Sequence, residues 1–148
     1  MKIAIASDHG GFNLKEQLKK YVESFGHEVI DLGCYSADRA DYPDHGIACG
    51  EAVVKGEADR GIVVCGTGIG ISIAANKVKG VRCALCTDPV MARLCREHNN
   101  ANMLAIGERI VGIELAKGIV EAFLTTEAEG GRHAERVAKI TAYDEARQ

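Results

Sequence analysis

Hydrophobic and polar positions along this chain follow two rhythms. Short, uninterrupted apolar runs at residues 2–7, 28–32, 60–65, 82–86 and 103–107 end in polar or glycine-rich corners. Runs of that length without alternation suit strands buried on both faces of a parallel sheet. Between them, apolar residues recur every three or four positions, as Leu14, Leu18, Tyr21, Val22 and Phe25 do before Gly26. That is helical spacing with a glycine stop. Asn13 is placed to cap this first helix. The same spacing predicts a helix over about 44–55, with Ile47, Ala48, Ala52 and Val53 inward, and a short one over 69–76. Another covers 88–98, with Pro89 in its first turn, and the next covers 112–125, packing through Ile113, Leu115, Ala116, Ile119, Val120 and Phe123. An acidic, glycine-containing linker at 127–131 precedes a last helix from about 132 to 145.

Five strands alternating with helices predict parallel βαβ units. The fold class is α/β: one three-layer α/β/α sandwich on a five-stranded parallel sheet, Rossmann-like, with right-handed crossovers. The full 148 residues form one domain on this reading, enough to bury about 68–70% of the unfolded surface without staples. Function then belongs at the carboxyl ends of the strands. Asp8 and His9 fall there, and so does Cys65. A ligand lies between the first and third strands if those two are neighbours.

Charge and cysteine content narrow the classes. A formal net charge of -3, with both signs interspersed and few aromatics, offers no basic stripe for nucleic acid. No window approaches a membrane span, and the apolar run at the amino terminus is too short for a signal segment. Six cysteines scattered through apolar segments fit reduced thiols in the cytoplasm rather than a disulfide framework. Cys83 and Cys86 spell CxxC, but three positions apart on a strand they face opposite sides, so neither zinc nor dithiol chemistry follows. No metal or cofactor is expected.

The stretch 61–73, GIVVCGTGIGISI, concentrates the chemistry. A strand ends in Cys65 and turns through Gly66, Thr67, Gly68, Ile69 and Gly70 into a helix. Helix amino termini present unpaired N–H groups and a positive dipole end, which suits an oxyanion hole or a phosphate cradle. They also favour thiolate over thiol, the form that acts as base or nucleophile. The dinucleotide pattern fails because Ile71 stands at its third glycine, and the phosphate-loop pattern fails for want of a lysine. Thr67 lends a hydroxyl to the loop amides or bonds its own backbone. Asp8 and His9 read either as an acid/base corner or as turn residues. His98 and Asn99 read as functional groups or as the cap of their helix. Arg132 and Arg136, at i and i+4, share a helix face and could grip a phosphate together, with Arg109 a third candidate. The inventory suits proton transfer beside the carbonyl of a small phosphorylated substrate.

The segments IASDHGG at 5–11, CGTGIGISIAANK at 65–77, REHNNANMLAIGER at 96–109 and GGRHAERV at 130–137 together resemble the type B ribose-5-phosphate isomerases of the ribose/galactose phosphate isomerase family. The resemblance covers essentially the whole chain. It implies cofactor-free interconversion of ribose 5-phosphate and ribulose 5-phosphate through an enediolate. It makes Cys65 the base and His98, helped by Asp8, the acid that opens the sugar ring. Gly66 to Gly70, Thr67 included, become the loop that stabilises the enediolate, and Asn99 becomes a substrate contact. His9, Arg109, Arg132 and Arg136 become the phosphate contacts. One branch of the family uses a glutamate in the loop as base. Ile71 stands at that position here, which places the chain in the thiol branch. The resemblance also implies a homodimer or homotetramer with the site at the subunit interface, His98, Asn99 and Arg109 serving the neighbour's pocket. The alternatives are an isomerase of a hexose 6-phosphate of allose or galactose type, and a noncatalytic sugar-phosphate-binding module.

Overall fold

A computed structural model describes residues 1–147. Its five strands are β1 (Lys2–Ser7), β2 (Glu28–Asp31), β3 (Arg60–Cys65), β4 (Cys83–Leu85) and β5 (Met103–Gly107). They pair in parallel in the order β2, β1, β3, β5, β4. The expected sandwich and sheet are therefore present. β1 lies beside β3, with Ser7 opposite Val64. The chain leaves β1 toward β2 and returns across it to β3, so the crevice between β1 and β3 is a topological switch point, where open α/β sheets bind ligands.

Period-two alternation splits the sheet into two unlike faces. Ile3, Ile5, Ile62, Val64, Leu104 and Ile106 pack under α1 (Phe12–Ser24), α4 (Pro89–Asn99) and α5 (Ile113–Thr125). Ala4, Ala6, Val63, Cys65, Met103 and Ala105 face α2 (Tyr42–Val54) and α3 (Ile69–Asn76). Cys83 packs with this second face and Cys86 with the first, as their spacing predicts. The final helix, α6 (Arg132–Ala146), rests on α4 and buries none of its own residues.

Four local expectations are corrected. Asn13 does not cap α1. Asp8 instead accepts the Gly11 amide at 3.1 Å to cap a 3-10 turn, and the Glu108 carboxylate takes the Leu14 amide at 2.6 Å. α2 begins at Tyr42, two residues early, with Pro43 in its first turn. Ile47 faces outward at 38% exposure, because the inward stripe is Gly46, Cys49, Gly50, Ala52 and Val53. A Cβ on Gly46 would lie 3.0 Å from Ile71, so the glycine lets α3 approach and rolls Ile47 to the surface. Leu115 is likewise exposed, α5 packing through Ala116, Ile119, Val120, Phe123 and Leu124.

Lys15 is fully buried and sets the loop after β2. Its ammonium donates to Asp31 at 2.7 and 2.9 Å and to the Cys34 carbonyl at 2.6 Å. Burial alone would raise the Asp31 carboxyl, but hydrogen bonds from Lys15 and Lys19 hold it below its ordinary value.

Candidate active site

The carboxyl ends of β1 and β3 open into a cavity of about 380 Å³ lined by Asp8, His9, Gly10, Tyr42, Cys65, Gly66, Thr67, Ile69, Gly70 and Arg109. Cys65 is 5% exposed, closing β3, and the Gly68 amide donates to its Sγ at 3.1 Å. That N–H fixes the sulfur against the turn that follows it. Gly68 reaches this position at φ +79°, a left-handed conformation a side chain would oppose. The Thr67 hydroxyl accepts the Ile69 amide at 3.2 Å, so in this state it serves its own turn. Ser72 makes the first helical bond of α3, to the Gly68 carbonyl. The Gly70 and Ile71 amides ahead of it therefore lack helical partners and form the dipole end behind the thiol.

Backbone packing fixes the loop from below. A Cβ on Gly107, the residue paired with Cys65 across the sheet, would lie 2.5 Å from the Thr67 carbonyl oxygen. A Cβ on Gly11 would meet the Val64 carbonyl oxygen at 2.5 Å. After β5, the Glu108 amide donates to the Cys65 carbonyl and the Arg109 amide to the Gly66 carbonyl, both at 2.9 Å. Arg109 therefore lies over this chain's own loop.

His9 is held from the other side. Its Nδ1 lies 3.0 Å from the Ala40 carbonyl oxygen and 3.2 Å from the Ala40 amide, which leaves Nε2 as the nitrogen available to a ligand. Lys15 thus acts on the site indirectly, since it anchors the start of the loop that carries Ala40. Asp8 is buried at the cavity wall, one carboxylate oxygen occupied by Gly11.

The remaining candidates lie elsewhere. His98 and Asn99 end α4 at the amino-terminal edge of the sheet, where the Asn99 carbonyl accepts from Arg82 just before β4. Arg132 and Arg136 are exposed on α6. None of the four lines the thiol cavity. His98 stacks on His133 with ring centroids 4.2 Å apart and planes 12° apart, and His133 Nε2 lies 3.4 Å from a Glu129 oxygen. Donor atoms of these three residues fall within 4.8 Å of one another. Parallel rings cannot direct two nitrogen lone pairs at one ion, because at a bond of about 2.0 Å the ion would stand far out of both planes. The cluster is therefore a stacked pair rather than a cation cage.

Over residues 3–140 the chain matches the family model for Ribose/Galactose Isomerase. It belongs to that family. Ribose-5-phosphate isomerase B of Escherichia coli (strain K12) is 51% identical over 146 residues, spanning 99% of this chain and 98% of its own. The solved structure of Clostridium thermocellum ribose-5-phosphate isomerase B matches with a TM-score of 0.96 at 56% identity, covering 98% of each chain. That of Mycoplasma genitalium ribose-5-phosphate isomerase B with bound ribulose-5-phosphate matches at 0.94 and 41% identity, covering 99% of this chain and 97% of its own.

Within this ribose/galactose isomerase, the sequence pattern missed one group that lines the cavity and one that braces the elements behind it. Tyr42 enters because α2 starts early, and its ring lies 2.8 Å from where a Gly70 Cβ would be, so only glycine admits it there. Glu108 clasps α1 to the end of β3, a long-range role that no local spacing signals. Cys49 and Cys83 lie outside the cavity. Burial pushes Cys49 up to about 12 and raises Cys83 as well, which keeps both protonated.

Proposed function

We propose that this ribose/galactose isomerase interconverts ribose 5-phosphate and ribulose 5-phosphate, with Cys65 moving a proton between C1 and C2 of the open-chain sugar. The observation that carries the reading is the Gly68 amide on Cys65 Sγ at 3.1 Å, beside the open end of α3 and within the cavity. The thiolate removes the C2 proton of the aldose, and the electron pair passes through a C1–C2 double bond onto O1. The loop amides face that developing oxyanion, where fixed dipoles contribute most. Cys65 then returns the proton to C1 while the O2 proton passes to O1, leaving a ketone at C2. The step balances without a cofactor.

His9 and Arg109 give the cavity an imidazole and a guanidinium for phosphate. Asp8 serves the sugar hydroxyls or ring opening. His98 as ring-opening acid, Asn99 as substrate contact, and Arg132 with Arg136 on phosphate require a second copy of the chain, because they stand outside this cavity. Exposed Ile69, Val90, Met91 and Ile110, with Ile69 on the cavity rim and Ile110 next to Arg109, support such a copy seated over the site, as a homodimer or dimer of dimers. Among the described residues no helix is long and apolar enough to cross a membrane, and all six thiols are free. Both fit a cytoplasmic enzyme of phosphorylated sugars.

The test is conversion of ribose 5-phosphate by the unmodified chain and by Cys65→Ala, both with excess EDTA. A loss of about 10²-fold or more in kcat for Cys65→Ala, with full activity of the unmodified chain, is expected of a general base. Near-normal kcat in the variant overturns the assignment. Faster turnover of a hexose 6-phosphate by the unmodified chain would move the substrate to six carbons.

A further inference from the structure

The stacked imidazoles lie outside the cavity, and the proposed reaction leaves their stacking unexplained. His98 closes α4, and among the described residues no hydrogen bond is made to either of its ring nitrogens. Both nitrogens are therefore available for proton transfer, but nothing polar fixes the angle of the ring. What fixes it is a flat neighbour, the His133 ring, parallel to within 12° at 4.2 Å. A planar face at that distance restricts rotation about the side-chain bonds without consuming a donor or an acceptor.

His133 is itself anchored. Its Nε2 lies 3.4 Å from the Glu129 carboxylate, one helical turn earlier, and its side chain is only 12% exposed. The Glu129 amide donates to the Glu97 carbonyl at 3.1 Å, next to His98. Gly130 and Gly131, at φ +77° and +55°, make the sharp entry into α6 that returns His133 over α4. Arg96 fastens the approach to this linker, donating to the Thr126 carbonyl at 3.0 Å and to Ala101 at 2.7 Å. A chain of specific contacts thus runs from the linker to one ring face. It also joins the helix carrying Arg132 and Arg136 to the helix carrying His98.

We infer that His133, steadied by Glu129, is a positioning residue for His98, holding its imidazole flat while leaving both nitrogens free to open the sugar ring. The inference rests on the reading of His98 as ring-opening acid. It follows that His133 matters for ring opening and, in reverse, for ring closure, but not for the proton transfer between C1 and C2. Ribose 5-phosphate reaches the enzyme as a closed ring through O4. Ribulose 5-phosphate stays open, because the oxygen that would close a five-membered ring carries the phosphate.

Initial rates of ribose 5-phosphate isomerisation, and the rate at which the C1 protons of ribulose 5-phosphate exchange with deuterated water, are measured for the full-length His98→Ala, His133→Ala and His133→Phe proteins. The exchange needs proton transfer on the open chain but no ring step. His133→Ala is expected to lower kcat/KM for ribose 5-phosphate about tenfold while leaving the exchange within about twofold, the exchange reporting that the protein is folded. His133→Phe, which keeps a flat face without a titrating group, is expected to restore isomerisation to within about threefold of the unmodified chain. His98→Ala is expected to show the same split more strongly. If His98→Ala shows the split but His133→Ala lowers both rates equally, or Phe restores nothing, the positioning role is overturned and the acid assignment stands. If His98→Ala shows no split, the acid assignment falls and the positioning role falls with it.

Discussion

Gly107→Ala isolates the value of loop position from the chemistry of the loop. Gly107 pairs with Cys65 across β5 and β3, and the Thr67 backbone crosses directly over it. An added methyl carbon would stand 2.5 Å from the Thr67 carbonyl oxygen, where ordinary contact begins at 3.4 Å. The difference, 3.4 minus 2.5, means that one side gives by about 1 Å, a misplacement that can cost about 10²-fold in rate. The strand is the stiffer party, being hydrogen-bonded on both sides by β3 and β4, so the loop moves and lifts Thr67 and Gly68 from the thiol. No group with acid, base or charge is removed. The assay is ribose 5-phosphate isomerisation under saturating substrate, with thermal unfolding followed by circular dichroism on the same samples. Gly112→Ala is the control, since a Cβ there meets nothing within 4 Å. The expected outcome is a kcat lowered about 10²-fold for Gly107→Ala and unchanged for Gly112→Ala, with both proteins folded. A folded Gly107→Ala protein with kcat within about threefold of the parent would refute the claim that loop placement governs turnover.

Arg136→Ala should raise KM for ribose 5-phosphate about tenfold or more, with kcat less affected, because a charge-assisted bond to a remote phosphate holds the substrate. An unchanged KM removes Arg136 from the phosphate site. Asp31→Asn leaves the fully buried Lys15 ammonium only the more exposed Glu16 carboxylate at 3.4 Å, at a cost of about 3 kcal/mol, the lower end for breaking a buried pair. At this chain length the loss lowers Tm by roughly 6–12 °C at pH 7. Asp31 is held below its ordinary value of 3.8 in the fold, so its contribution is complete above that value and is lost as pH falls through the folded value. The Tm gap between parent and variant should therefore narrow at pH 3, and a gap that widens on acidification would contradict the pairing.

The layered fold was legible because its signals are local. Uninterrupted apolar runs mark strands covered on both sides, and all five lie within a residue or two of their expected bounds. Cys65 and the glycines after it could be read for the same reason, since a strand, a thiol and a helix start follow one another in the chain. Failures came where a distant partner decides. Ile47 was expected inward by spacing, but Gly46 lets α3 approach and turns the helix. Asn13 was a sound cap by type, yet Glu108, reaching across from the end of β5, satisfies the α1 amide. Tyr42 falls outside the helix expected over 44–55, because α2 starts two residues earlier. The separation of His98 from Cys65 was invisible to periodicity, which places residues on faces and at ends but does not measure distance between them.

The bare-backbone contacts beneath the thiol loop also constrain how such a protein can diverge. Gly11, Gly68 and Gly107 each face another stretch of main chain or a packed side chain too closely for even one extra carbon. The floor of the pocket is therefore closed to gradual change, and each substitution there must pass through a damaged intermediate. The rim is open. Tyr42 and Ile69 are exposed and can vary in size while the loop stays where it is. Discrimination between shorter and longer sugars can then be inherited at the rim, while the proton-transfer apparatus passes unaltered from one lineage to the next.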